Sequence, residues 1–303
     1  MEAFITGLLL SGGALAMSLQ NAFKRGFKKS CLLFFAFCST FFALLVFVFS
    51  SGFRFSFDAG LLKYALSMGI VYSVCTITLT CALGLGYLSL SGLIMSASLI
   101  LPTMYGIIFL HNDVSVFFII GLIVLAASLM LVNLGNKDRS GQVEKIELSG
   151  VVEAKNNGKR SQLKWLIFIL IAAVTNGFTS IIQTMQQTAY SGEKKNEFMI
   201  ISLGIASAII LIASLFVEKS KIRDGFKQSV LLGAGSGVMN GLLNLAVMYS
   251  LVRVTAALVF PVISGASLLF TFLIAVAFFK EEYHKLQYAG YALGLISVIL
   301  LNL

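Results

Sequence analysis

The sequence predicts an all-α membrane protein with ten transmembrane helices in two inverted five-helix repeats. Three observations carry that expectation. Of 303 residues, 58% are hydrophobic and only 12% are charged, about half the charge of a soluble domain. The apolar residues gather in ten long runs. The second half of the chain also repeats part of the first at a fixed offset.

The runs lie near 3–22, 31–51, 61–83, 87–110, 115–134, 164–186, 198–217, 229–250, 254–279 and 286–302. Each approaches the roughly 20 residues that carry a helix across an apolar core of about 30 Å. Strands of a membrane barrel are about 10 residues long with alternating polarity, and these runs are too long and too continuous for that. Lipid leaves helices as the remaining architecture, because backbone groups must pair internally. All 35 charged residues fall between the runs or at their ends, as expected where a mid-bilayer charge costs roughly 3 kcal/mol or more. Met1-Glu2 lacks the basic flank of a signal peptide, so none is expected.

In chain order, span one carries Gln20 near its end. Span three carries Tyr72, Thr76 and Thr80 one turn apart. Spans four and nine contain the only prolines, Pro102 and Pro261, where a missing N–H predicts helix kinks. Span six carries Asn176, Ser180 and Gln183, continued by Gln187, at spacings that share one helical stripe. Span eight reads "GAGSGVMNGLLN" over 233–244. Gly233, Gly237 and Gly241 form a smooth strip suited to close approach of a neighbouring helix. Asn240 and Asn244 lie on an adjacent face. Span ten has Gly290 and Gly294 in a GxxxG, read as helix packing or a homodimer contact.

Connections of odd number hold 17 of the 22 Lys and Arg residues. The positive-inside rule then puts odd connections in the cytoplasm and both termini outside. The net charge of +9 is explained by these short loops, and no nucleic-acid partner is expected. Cys31, Cys38, Cys75 and Cys81 lie in apolar runs without a CxxC, and His111 and His284 lie in separate loops. Neither a disulfide framework nor a metal site is implied, and no cofactor is expected.

At an offset of 169, "SLMLVNL" (128–134) falls on "SVILLNL" (297–303), Gly121 on Gly290, and Ala97-Ser98-Leu99 on Ala266-Ser267-Leu268. A weaker match sets Gln20 on Gln183. The repeats are 1–134 and 164–303, and the charged segment 135–163 is the linker. Five spans is an odd number, so the second repeat enters the membrane inverted, as in many secondary transporters.

Each half ends with an apolar helix, a short polar turn and a glycine-bearing helix: "IIFLHNDVSVFFIIGLIVLAASLMLVN" and "AVAFFKEEYHKLQYAGYALGLISVILLN". This resembles the drug/metabolite transporter superfamily, EamA-type. The resemblance implies ten helices around a central cavity lined by spans such as one, three, four, six, eight and nine, with alternating access. It implies packing roles for spans five and ten. It also implies cytoplasmic termini, opposite to the charge bias.

The candidate substrate-binding residues are therefore Gln20, Tyr72, Thr76, Asn176, Ser180, Gln183, Asn240 and Asn244. Such groups also serve as interhelical glue at about 0.6 kcal/mol per contact. Several amides on one stripe, however, need either many partners or a wet cavity. No Asp, Glu, His, Lys or Arg sits at mid-helix depth, which argues against a buried-carboxylate proton site and against a phosphate-selective one. No catalytic constellation is present in the spans, so no enzyme is expected. The expected function is a secondary transporter, an exporter, of small polar neutral or zwitterionic metabolites, in the bilayer of a bacterial inner membrane. A sugar or nucleotide-sugar carrier of the same fold is the alternative, and a non-transporting scaffold or receptor is the alternative of another class.

Overall fold

A computed structural model describes residues 31–85, 91, 94–95, 97–112, 115–128, 130–131, 158–263 and 285–300. Gln20, span one and most of the 135–163 linker lie outside the described residues. The described part is helical: α1 (Leu32–Ser50), α2 (Ala59–Gly84), α3 (Ile100–Ile108), α4 (Val116–Ser128), α5 (Gly158–Ala189), α6 (Lys195–Leu251) and α7 (Lys285–Leu300), with a run at 256–263 before α7. Among the described residues no strand occurs. Five segments are long and apolar enough to cross a membrane: α1, α2, Leu163–Ala189, and the two arms of α6, Lys195–Lys219 and Ile222–Leu251.

Among the described residues α6 departs from the expected segmentation. Spans seven and eight were separated by a charged connection, yet the backbone stays helical through it for 57 residues. A straight helix of that length would measure about 85 Å, nearly three bilayer cores. The helix instead doubles back. Lys195 at its start places Nζ 4.1 Å from the Tyr249 ring at its end, and Phe198, Met199 and Met248 share one buried cluster.

The two arms grip α1 and α2. Gly233 faces Cys38, Gly237 faces Ser39 and Phe42, and Gly241 faces Val46, so α1 runs parallel to the second arm. A Cβ on Gly237 would overlap the Ser39 carbonyl oxygen, and one on Gly241 would sit 2.8 Å from Val46 Cβ. The glycine strip is thus a backbone-to-backbone seam, closed on its edge by Ser39 Oγ donating to Ser236 Oγ at 3.3 Å. Gly69 of α2 packs equally close against Ser202 and Ile205 of the first arm. Buried Phe47, Leu61, Met68, Phe198, Met199 and Met248 fill the space where these four segments meet.

α2 lies antiparallel to α5. Tyr190 reaches Gly60 at one end, Cys75 Sγ donates to the Ala172 carbonyl in the middle, and Ala82 packs with Trp165 and Ile169 at the other. The N-terminus of α2 is set by Asp58, whose Oδ1 accepts from Gly60 N at 2.8 Å, the usual N-cap chemistry. α4 packs on the run 256–263 through Phe118, Leu125, Ala257 and Val262. Ser128 Oγ donates to the Gly290 carbonyl at 2.6 Å. The first glycine of the GxxxG is therefore used within the chain, between α4 and α7.

Candidate functional site

The amide stripe of α5 and the asparagines of α6 face each other. Gln183 is buried, and its Nε2 donates to Asn244 Oδ1 at 2.9 Å and lies 3.9 Å from Met199 Sδ. Asn244 Nδ2 donates to Asn240 Oδ1 at 2.8 Å and to the Asn240 carbonyl at 2.9 Å. Asn240 Nδ2 donates to Tyr72 Oη at 2.7 Å, with Thr40 and Thr76 beside that hydroxyl. Four of the expected residues thus form one hydrogen-bonded chain crossing α5, α6 and α2. Asn240, Asn244 and Tyr72 are only partly buried. The array is uncharged and presents both donors and acceptors.

The helix periods explain why these residues meet. Asn240 and Asn244 are one turn apart on the second arm, with their glycine neighbours turned to α1, so the amides face α2 and α5. The close approach at Gly237 and Gly241 brings that arm within reach of Tyr72.

Asn176 and Ser180 do not join this chain. Asn176 Nδ2 donates to Ser98 Oγ at 2.7 Å, and Ser180 Oγ is spent on the Asn176 carbonyl at 3.3 Å. Thr80 likewise bonds its own helix, at the Thr76 carbonyl. Thr76 stays beside Tyr72.

Ser98 is a contact the sequence did not single out. Span four breaks at Ser98-Leu99, immediately before α3. Pro102 has no N–H for the Ser98 carbonyl, and Leu101 N takes it at 3.1 Å instead. The kink expected at Pro102 is therefore a break one turn upstream, with the proline in the first turn of α3. Gly177 admits it, since a Cβ there would lie 2.8 Å from Leu101 Cβ and 3.0 Å from the Ser98 carbonyl oxygen. The signal was present: proline removes the bond to the residue four before it. Pro261 sits inside the helical run 256–263, and the chain after 263 lies outside the described residues.

Gln187 continues the stripe one turn beyond Gln183. Gln186 Nε2 is held by the Glu193 carbonyl at 3.2 Å, so Gln186 Oε1 accepts from Gln187 Nε2 at 2.5 Å. That fixes Gln187 Oε1 as an acceptor, buried and without a partner. Periodicity indicated Gln187, but the orphaned oxygen follows only from its neighbours. Among the described residues no group of His, Cys, Asp or Glu could hold a metal ion.

No curated protein matches the chain. A solved structure, described only as the crystal structure of a protein, superposes with a TM-score of 0.68 over 98% of this chain and 95% of that one. At 14% identity the likeness is one of fold. Residues 163–303 match the EamA-like transporter family. This is the half that holds the amide stripe, both arms of α6 and α7. That family is part of the drug/metabolite transporter superfamily, a transporter family and not an enzyme family, and it matches the second half of this chain. With five described segments long and apolar enough to cross a membrane, the chain is a multi-pass integral membrane protein.

Proposed function

We propose that the protein is a secondary exporter of small polar, neutral or zwitterionic metabolites, working by alternating access across a bacterial inner membrane. The observation that carries this reading is the Gln183–Asn244–Asn240–Tyr72 chain. It is polar, partly buried, uncharged and built from both halves of the sequence. A solute with paired donors and acceptors can exchange hydrogen bonds with such an array without bringing a counter-charge into the membrane. The orphaned Gln187 Oε1 offers a solute N–H or O–H a further acceptor on the same stripe. Asn176, Ser180, Thr76 and Gln20 complete the proposed lining, and Pro102 and Pro261 its kinks.

Ten spans in two inverted repeats, 1–134 and 164–303 joined by 135–163, fit the packing. Span two runs along span eight, and span three along span seven. Exchanging the two halves turns the first contact into the second, as a two-fold relation within the membrane requires. Both glycines of the α7 GxxxG are buried within the chain, Gly290 against Ser128, so the proposed homodimer contact lies on another surface.

The test is flux from proteoliposomes loaded with a mixed pool of neutral amino acids, sugars and nucleosides. Asn244→Leu removes the acceptor of Gln183 and the donor to Asn240, and Gln183→Leu removes the other end. Each is expected to lower flux about tenfold, the equivalent of about 1.4 kcal/mol, at unchanged expression. Wild-type flux in both variants would sink the site. Absence of flux for any solute in the wild type would favour a scaffold or receptor.

A further inference from the structure

The connection between α1 and α2 is rich in exposed aromatics. Phe53, Phe55 and Phe57 are 71%, 51% and 65% exposed, and Phe49 in the last turn of α1 is 66% exposed. The backbone turns through Gly52 and Phe53, both at φ 61°. A left-handed backbone is unfavourable for a bulky L-residue, and here it coincides with Phe53 being held outward. The Phe49 and Phe53 rings meet edge to face at 5.4 Å. From Arg54 to Asp58 the chain is irregular, entering α2 from an extended Asp58.

Ser56 ties the connection to α6. Its Oγ donates to Glu197 Oε1 at 3.1 Å and accepts from the Lys194 amine, so Ser56 faces the start of α6. Phe55 and Phe57, the two neighbours of Ser56, stay outside that contact and are exposed, and so is Arg54. Lys63, one turn into α2, rests its Nζ 4.9 Å from the Tyr64 ring. The segment joins two membrane-spanning helices, which puts it at the level of the lipid headgroups. Soluble surfaces seldom leave such a contiguous aromatic row in water, whereas interfacial membrane segments bury Phe, Trp and Leu at the headgroup–acyl boundary with Lys and Arg beside them.

We propose that residues 51–58 form an interfacial strap. Phe53, Phe55 and Phe57 enter the headgroup–acyl boundary, and Arg54 and Lys63 meet the phosphates of anionic phospholipids. The occupant is the lipid surface, and a second copy of the chain is the competing one. The strap fixes the depth of the α1–α2 hairpin, and with it the level of Tyr72 in the membrane.

The test uses full-length protein in nanodiscs holding one copy each. Phe55→Trp, with Phe57→Trp as a second reporter, adds emission to the constant background of Trp165. In phosphatidylcholine the added emission is expected at short wavelength. Lipids brominated near the headgroup should quench it more than lipids brominated deep in the acyl chain. Replacing part of the lipid by phosphatidylglycerol should shift it further to the blue, and Arg54→Gln with Lys63→Gln should abolish that shift. Water-like emission without bromine quenching for both reporters would overturn the strap. Shielding that appears only in discs holding two copies would assign the row to a dimer instead. Identical emission in neutral and anionic lipid would refute the phosphate contacts.

Discussion

Glu218 is buried at the end of the first arm of α6, and its carboxylate accepts from Leu33 N at 3.1 Å to both oxygens and from Phe34 N at 3.0 Å. Cys31 gives α1 no side-chain cap, so a residue 185 positions away supplies it. A carboxylate is favoured at the positive end of a helix, and hydrogen bonds to a charged group contribute about 1.5–3 kcal/mol. The sequence placed Glu218 in a charged loop. Its partner there was invisible, because the pairing depends on how α6 folds back. Glu218→Gln is expected to lower stability by about 1–2 kcal/mol, read as a drop in Tm of the purified protein in detergent. An unchanged Tm would mean that water caps α1 equally well. The amides behave alike: their spacing was legible, whereas the donor each one meets was not. Asn176 looks equivalent to Gln183 on the stripe, yet it serves the break at Ser98 and not the chain to Tyr72.

At the scale of the element, the glycines of span eight divide by neighbour. Gly237 abuts the Ser39 backbone, while Gly235, two residues away, has nothing within 4 Å. Adding a methyl at Gly237 forces α1 away from α6, and overpacking of this kind costs about 1–3 kcal/mol. The same change at Gly235 meets open space and gains helix propensity, up to about 1 kcal/mol. Gly237→Ala should therefore lower, and Gly235→Ala raise or leave unchanged, the Tm and the monodisperse fraction on size-exclusion chromatography. Equal behaviour of the two would contradict the seam. Lipid supplies no hydrophobic force between helices, so close packing and interhelical hydrogen bonds hold them. A seam that carries Ser39–Ser236 and brings Asn240 to Tyr72 serves both purposes.

For the whole molecule, the connection 51–58 and the bend of α6 lie at opposite ends of a 25-residue span, Lys195–Lys219, about 37 Å of helix. They therefore face opposite sides of the bilayer. In a chain with its four cysteines replaced, a membrane-impermeant maleimide should reach Arg54→Cys and Arg223→Cys from different sides. The charge bias places Arg223 in the cytoplasm; labelling of Arg223→Cys from outside intact cells would reverse it and agree with the cytoplasmic termini implied by the family resemblance.

By itself the sequence determined that this chain crosses a membrane as helices, because composition and run length decide solvation before any contact is made. It also determined where the polar stripes lie, because helical periodicity is local. The tertiary structure alone decided which stripes meet. It turned a charged loop into a helical bend, sent Glu218 to α1, closed Gln183, Asn244, Asn240 and Tyr72 into one chain, and left Gln187 Oε1 without a donor. Each of these depends on the distance between helices far apart in sequence, and that distance is set by side-chain volume at the seams, here the missing Cβ atoms of Gly233, Gly237 and Gly241.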